Sequence, residues 1–227
     1  MRKVVINVAS RRDRRREMQR QLSMVNWRAD FYDAIRPNEA GGFPSIGARG
    51  CFLSHLSVLR QAQDDKVDVL MVLEDDLSFN KDFLDRWKRV EPDLLRRAAS
   101  PCVIYLGHYL DLQGDGLVQL SPETTVRCSH FMVFTSPALR LITRELEQIL
   151  ARSAGHADGG PMHVDGAYST IRARHPRLKT FAHTPALGFQ RSSRTDIDEQ
   201  KFFSSIRALR PLISSARAIK ARIVQKI

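Results

Sequence analysis

The chain has 227 residues, 43% of them hydrophobic, which supplies enough apolar surface for a real core and excludes a disordered or fibrous protein. No stretch approaches the about 18 consecutive apolar residues that a membrane span needs, and Met1-Arg2-Lys3 runs straight into an apolar segment, so neither a transmembrane helix nor a signal peptide is expected. Lys+Arg outnumber Asp+Glu by 36 to 25, and the net charge of +11 points to an anionic partner: nucleic acid, an acidic membrane or a phosphorylated substrate.

The opening "KVVINVAS" predicts a short strand and "SRRDRRREMQRQL" a helix, with Asp13 favourably placed near its N-terminus; together they make the first half of a βαβ unit. Gly and Pro in "DFYDAIRPNEAGGFPSIGARG" predict a loop over residues 30–50, apart from a short strand near Phe31. Phe52, Leu56, Leu59 and Ala62 recur at helical spacing, which predicts an amphipathic helix over residues 51–63. In "VLMVLEDDLSFN" the apolar run Val69 to Leu73 leads directly into Glu74, Asp75 and Asp76. So apolar a run reads as a central strand of a parallel sheet, covered on both faces, with its acids at the carboxyl edge where open α/β sheets bind ligands.

Residues 81–99 read as helix, "PCVIYLGHY" as another buried strand, and "LVQL" as a shorter β region that returns through "HFMVFT". Ser136-Pro137 begins a helix to about Leu150, since Pro suits a first turn. "HVDGAYSTIRARH" predicts a capped helix from near Asp165, and "LKTFAHTPALGFQRSSRTDID" a strand followed by loop. Strands alternating with helices, then irregular β structure, imply an α/β domain with a mostly parallel central sheet over residues 1–200, followed by a basic tail, 201–227. The three cysteines, Cys51, Cys102 and Cys128, have unrelated spacings and suggest neither a disulfide framework nor a Cys-x-x-Cys metal site; a reducing compartment is the simpler expectation.

The acidic triplet carries the chemical reading. Three adjacent carboxylates repel one another, and burying them together is costly unless a cation or hydrogen-bond donors compensate. A hard divalent cation, Mg²⁺ or Mn²⁺, takes one or two carboxylates and completes its shell with water and substrate phosphates. The bland alternative is that Asp75 and Asp76 cap the following helix.

Six segments occur in order: "VVINVASRRDRR", "GARGCFLSHLSVLR", "VLMVLEDDLSF", "VIYLGHY", "HVDGAYS" and "HTPALGFQRSSRTDI". Together, over about residues 3–198, they resemble glycosyltransferase family 25, which includes bacterial lipooligosaccharide galactosyltransferases and collagen galactosyltransferase domains. The resemblance implies a GT-A-like fold, a nucleotide-sugar donor that is commonly UDP-galactose, Mn²⁺ dependence and inversion at the anomeric carbon. By that resemblance Asp76 is the main metal ligand, Glu74 lies toward the metal and the nucleotide ribose, and Asp75 binds through water or orients the loop. Arg11, Arg12 and Arg14 would add positive charge against the diphosphate, Arg14 matching the motif best, though a solvated helix face explains any one of them. Asn7, polar inside an apolar strand, needs a partner, either a nucleotide base or the neighbouring loop. Ser54 and His55 match the motif on their helix and stand as donor contacts or as structural groups.

An inverting transfer needs a base for the acceptor hydroxyl. Asp165, at the matching acidic position, is the first choice, with helix capping as its alternative role; Glu123 and Asp111 are weaker candidates. His183 is a candidate further metal ligand by analogy with GT-A folds. Gln190, Ser192, Ser193 and Asp196 would contact donor or acceptor from a loop that closes over the nucleotide.

The tail holds six basic residues and no acid from Phe202 to Ile227. Phe202, Ile206, Leu209, Leu212 and Ile213 fall on one side of a helical wheel and the arginines largely on the other, the pattern of a helix in an anionic membrane interface; packing on protein is the alternative. The expectation is therefore a metal-dependent, inverting hexosyltransferase, peripheral on the inner face of the cytoplasmic membrane, acting on a lipooligosaccharide or other lipid-linked saccharide. A nucleotidyltransferase of related fold, or a non-enzymatic basic protein binding membrane or nucleic acid, are the competing readings, with nucleic acid disfavoured because no recognised module appears.

Overall fold

The computed structural model describes residues 1–191. Ser192, Ser193, Asp196 and the amphipathic tail lie outside the described residues. The elements run β1 (Arg2–Asn7), α1 (Arg12–Met24), β2 (Asp30–Asp33), α2 (Ile46–Asp64), β3 (Val69–Glu74), β4 (Leu77–Phe79), α3 (Phe83–Arg96), β5 (Cys102–Tyr105), β6 (Gly116–Leu120), β7 (Phe131–Thr135), α4 (Ser136–Ala151), α5 (Val164–Arg174), β8 (Lys179–Thr184) and β9 (Gly188–Gln190).

Seven strands form one sheet in the order β2-β1-β3-β7-β5-β8-β6, and β4 pairs with β9 in a separate ribbon. Strands β1, β2, β3, β5 and β8 run one way, while β7 and β6 run against them. The sheet is thus mixed but mostly parallel, and β3 is central, parallel to β1 and antiparallel to β7. "LVQL" and "HFMVFT" do not pair with each other: β6 joins the edge beside β8, whereas β7 inserts between β3 and β5. The fully buried face-to-face run of β7 suits a central position, and the half-exposed β6 an edge.

Side chains alternate across the sheet and both faces are covered. Val5, Met71, Leu73 and Ile104 pack under α1 and α3 with Met18, Leu22, Phe83 and Trp87. Val4, Ile6, Leu70, Val72 and Val103 pack under α2, α4 and α5 with Phe52, Leu56, Leu139, Ile142 and Ile171. Among the described residues no helix is long and apolar enough to cross a membrane.

Helix α2 starts at Ile46, five residues before the predicted boundary, because Ser45 caps it: its Oγ accepts from the Ala48 N–H at 3.0 Å. Composition hid this turn, since its glycines read as loop. Gly50 is required for packing rather than for flexibility, because a Cβ there would lie 2.6 Å from the Ile35 carbonyl oxygen.

This topology sends α1 and α2 to opposite faces on leaving β1 and entering β3, so a crevice opens outside the carboxyl ends of those two strands. At the same edge lie the ends of β5 and β8 and the beginning of the antiparallel β7.

Candidate active site

At this edge β3 delivers Glu74, and the turn to β4 delivers Asp75 and Asp76, which are only 5% and 4% exposed. Asp75 is held from the first strand and the first helix. Asn7 Nδ2 donates to its Oδ2 at 2.6 Å and Arg14 Nη1 to its Oδ1 at 3.1 Å. Burial nevertheless dominates, raising the Asp75 carboxyl above its ordinary range against the hydrogen bonds from Asn7 and Arg14.

Asp76 has weaker compensation. Gln190 Nε2 donates to Oδ2 at 3.0 Å, and Arg14 Nη1 lies 3.8 Å from the same oxygen. Its Oδ1 is buried and accepts no hydrogen bond. Burial, then the negative charge of Glu74, push Asp76 up from 3.8 to about 6.

Glu74 is treated differently. Its Oε1 accepts from Ser129 Oγ at 2.6 Å and lies 3.3 Å from His55 Nε2. The opposite ring nitrogen of His55, Nδ1, stands 3.0 Å from the Tyr168 hydroxyl. Burial works to raise Glu74, but the hydrogen bond and charge of His55, with the Ser129 hydroxyl, outweigh it and hold the carboxyl below its ordinary range. A wired chain thus runs from α5 through α2 to β3.

Arg191 locks the acidic turn from the other side. Its backbone N–H donates to Asp76 O at 2.7 Å, and its guanidinium reaches Asp75 O at 2.6 Å, Ser78 Oγ at 3.0 Å and the Leu77 carbonyl. The β4–β9 ribbon places it there, pairing Leu77 with Gln190. Sequence reasoning passed over Arg191 while naming both its neighbours, because nothing local marks an arginine whose partners are carbonyls 114 residues away.

Asn7, Arg14, Asp75, Asp76 and Gln190 are therefore joined by direct contacts, and the His55–Glu74 pair adjoins them through the chain at Asp75. Asn7 resolves in favour of the neighbouring loop: its amide bonds Asp75, while its Oδ1 is buried with no hydrogen-bond donor. His55 is fully buried and acts on Glu74 rather than facing open space.

Ser54 shows the structural role among its alternatives: its hydroxyl donates to Gly50 O at 2.7 Å and accepts from Ile35 N at 2.8 Å, which ties the loop to α2. Arg11 makes a two-pronged pair with Asp13, at 3.0 and 3.1 Å, which draws the Asp13 carboxyl down to about 2. Arg12 is exposed, the solvated-face reading.

Asp165 sits in the first turn of α5, after the cap residue His163, and its Oδ1 accepts from Gly166 N at 2.8 Å. Its negative charge acts on Cys51, Cys128 and Tyr105, and that of Glu74 acts on the same two cysteines. Buried Arg172 anchors its helix through Thr180 Oγ1, Thr124 O and Ser121 O.

His183 is placed apart from the acids. Nδ1 lies 2.8 Å from Pro185 O and must donate, and its charged neighbours are Arg86, Asp115 and Arg89. The structure brings forward His130 instead. It is 1% exposed with both ring nitrogens lacking a hydrogen bond of ordinary geometry, it feels the charge of Glu74, and it crowds Gly107 so closely that no Cβ fits there. Tyr109, 65% exposed, stands beside it with ring centroids 6.1 Å apart. Glu123 is exposed and bonded to Ser121, and Asp111 is exposed on a loop.

Asp75 and Asp76 offer carboxylate oxygens of the kind a hard divalent cation takes, and Oδ1 of Asp76 is buried with unused lone pairs. Asp76 and Glu74 are the residues that would hold it.

Residues 1–109, just under half of the chain, match the family model described as glycosyltransferase family 25 (LPS biosynthesis protein). A rat protein named "Probable inactive glycosyltransferase 25 family member 3" is 38% identical over 141 residues, 60% of this chain but 23% of the rat protein. The chain thus spans about a quarter of that relative. The crystal structure of a glycosyltransferase involved in glycosylation of the major capsid of PBCV-1 superposes with a TM-score of 0.51 at 9% identity, covering 85% of this chain and 93% of that one; this likeness concerns the fold.

Proposed function

We propose that this chain, whose first half matches glycosyltransferase family 25, is a metal-dependent, inverting glycosyltransferase with a GT-A-like fold. It moves a hexose, galactose by family resemblance, from a UDP-sugar to a lipooligosaccharide or other lipid-linked saccharide. One observation carries the reading. Asp76 is buried beside two further acids with an unused oxygen, at the sheet edge where nucleotides bind in α/β folds. A fold that needed no cation there gains nothing from keeping that group.

Mn²⁺ or Mg²⁺, held by Asp76 and Glu74, would supply positive charge to the diphosphate leaving group. The chain's own residues prepare the rest. Ser129 and His55 keep Glu74 ionised and fixed in direction. Arg14, 3.1 Å from Asp75 and 3.8 Å from Asp76, restrains the two aspartates. Asp165 takes the proton of the acceptor hydroxyl as it attacks opposite the leaving phosphate. Tyr109 offers an exposed aromatic face on which the apolar face of a sugar ring can lie. The basic tail places the enzyme at the inner face of an anionic membrane, where a lipid-linked acceptor resides.

The rat relative's name includes "inactive", so the activity is argued from the site. The test is UDP release from UDP-galactose with Mn²⁺ and a lipid-linked acceptor, compared with Asp76→Asn. Turnover in the wild type and its loss in the variant support the reading. Equal turnover in both removes the metal role, and release of pyrophosphate instead of UDP identifies a nucleotidyltransferase.

A further inference from the structure

Behind the acids lies a second donor set of different chemistry. Cys51 and His55 are four residues apart on α2 and therefore share one face of that helix, which is turned toward the end of β3. Cys51 Sγ, a ring nitrogen of His55 and a carboxylate oxygen of Glu74 all lie within 4.8 Å of one another. Ligand atoms of a tetrahedral zinc site, about 2.0–2.3 Å from the ion, stand about 3.3–3.7 Å from each other. The His55 Nε2 to Glu74 Oε1 distance is already 3.3 Å, so only the thiol has ground to cover.

The surroundings are those of a metal-ligating histidine. Tyr168 holds His55 Nδ1 at 3.0 Å, which leaves Nε2 to the Glu74 side, and the Ser129 hydroxyl orients Glu74 Oε1 at 2.6 Å. His55 is fully buried, whereas Cys51 and Glu74 are half-buried, so an ion has a way in. One sulfur, one nitrogen and one oxygen make a softer set than the all-oxygen site of Asp76, and it suits Zn²⁺ rather than Mn²⁺ or Mg²⁺.

We propose that Cys51, His55 and Glu74 form a zinc-binding site next to the acidic turn, with the fourth position left to water or a ligand anion. Binding removes two protons to solvent, one from the Cys51 thiol and one from the His55 Nε2–H that faces Glu74, leaving a zinc-bound thiolate and a neutral imidazole whose Nδ1–H is donated to Tyr168. The site uses Glu74 but neither Asp75 nor Asp76, and it stands whether or not the chain transfers sugars.

The test uses the full chain, with Co²⁺ as a spectroscopic probe and Zn²⁺ as competitor. The expected result is a thiolate-to-cobalt charge-transfer band in the near ultraviolet, abolished by stoichiometric Zn²⁺. The band should persist in Asp76→Asn, Cys102→Ser and Cys128→Ser and vanish in Cys51→Ser. Absence of the band in the wild type, its survival in Cys51→Ser, or its loss in Asp76→Asn would each overturn the proposal. The wild-type spectrum decides even where a variant folds poorly, and sugar transfer plays no part in the readout.

Discussion

Glu74 and Asp76 stand two residues apart, yet their surroundings shift their carboxyls in opposite directions. Glu74 meets two donors on one oxygen, the Ser129 hydroxyl and the His55 ring, and titrates below its ordinary range although it is buried. Asp76 has one amide and a distant guanidinium on one oxygen, nothing on the other, and rises to about 6. The comparison separates two uses of a buried acid. Donors on a buried acid keep it ionised; where burial outweighs them, the acid keeps its proton to higher pH and a cation is the partner that would restore its charge.

The strongest way to break this comparison is Asp76→Asn. Transfer should fall by about 10³-fold, as when a group that stabilises developing charge is removed. Stability of the metal-free protein should move the other way. Asp76 has a folded pKa of about 6 against an ordinary 3.8, so between those values the folded chain binds more protons than the unfolded one. Stability then falls as pH rises through that window, by about 3 kcal/mol in all, and remains reduced above it. Urea unfolding from pH 4 to 7.5 in a chelator should show that fall in the wild type and a smaller one in the variant, the remainder coming from Asp75, whose carboxyl is also raised. A flat wild-type profile would contradict the description of Asp76.

Arg14→Gln should cost about 10–10²-fold in transfer, because the Asp75 and Asp76 carboxylates lose the guanidinium that lies 3.1 and 3.8 Å from them. Weakened UDP binding by calorimetry should accompany the loss. Tyr168→Phe sharpens the Glu74 side of the comparison. It removes one buried hydrogen bond to His55, with about 1 kcal/mol lost in stability and a smaller effect on transfer than either acidic-side variant. Ser54→Ala should cost about 1–2 kcal/mol in unfolding and leave turnover per folded molecule unchanged, since both its bonds are to backbone of the loop and its own helix. A marked fall in turnover would return Ser54 to the donor-binding set.

Local pattern exposed most of the fold. The apolar run of β3, the helical spacing of Phe52, Leu56 and Leu59, and Ser136-Pro137 at the start of α4 all mark elements that form where the pattern puts them. The first turn of α2 is masked in the sequence because Gly47 and Gly50 look like loop residues, Gly50 being there for close packing, while the cap that starts the helix is a single serine. Strand pairing escaped for another reason. The partner of an antiparallel strand is selected by faces that many strands share, and nothing within "LVQL" says that it belongs beside β8 rather than β7.

By itself the sequence determined that three acids would follow a two-face-buried strand, that an Arg-rich turn would follow the first strand, and that a family 25 motif set runs in order. These are properties of adjacent residues and periods. Only the tertiary structure decided which of them meet: that Arg14 and Asn7 close on Asp75, that His55 serves Glu74 while Ser54 beside it serves the backbone, that His183 turns to Pro185, and that Arg191 grips the acidic turn. The reason is that a side chain's partner is fixed by its direction and by what else competes for its few donors and acceptors. Those are set by packing between segments as far as 116 residues apart.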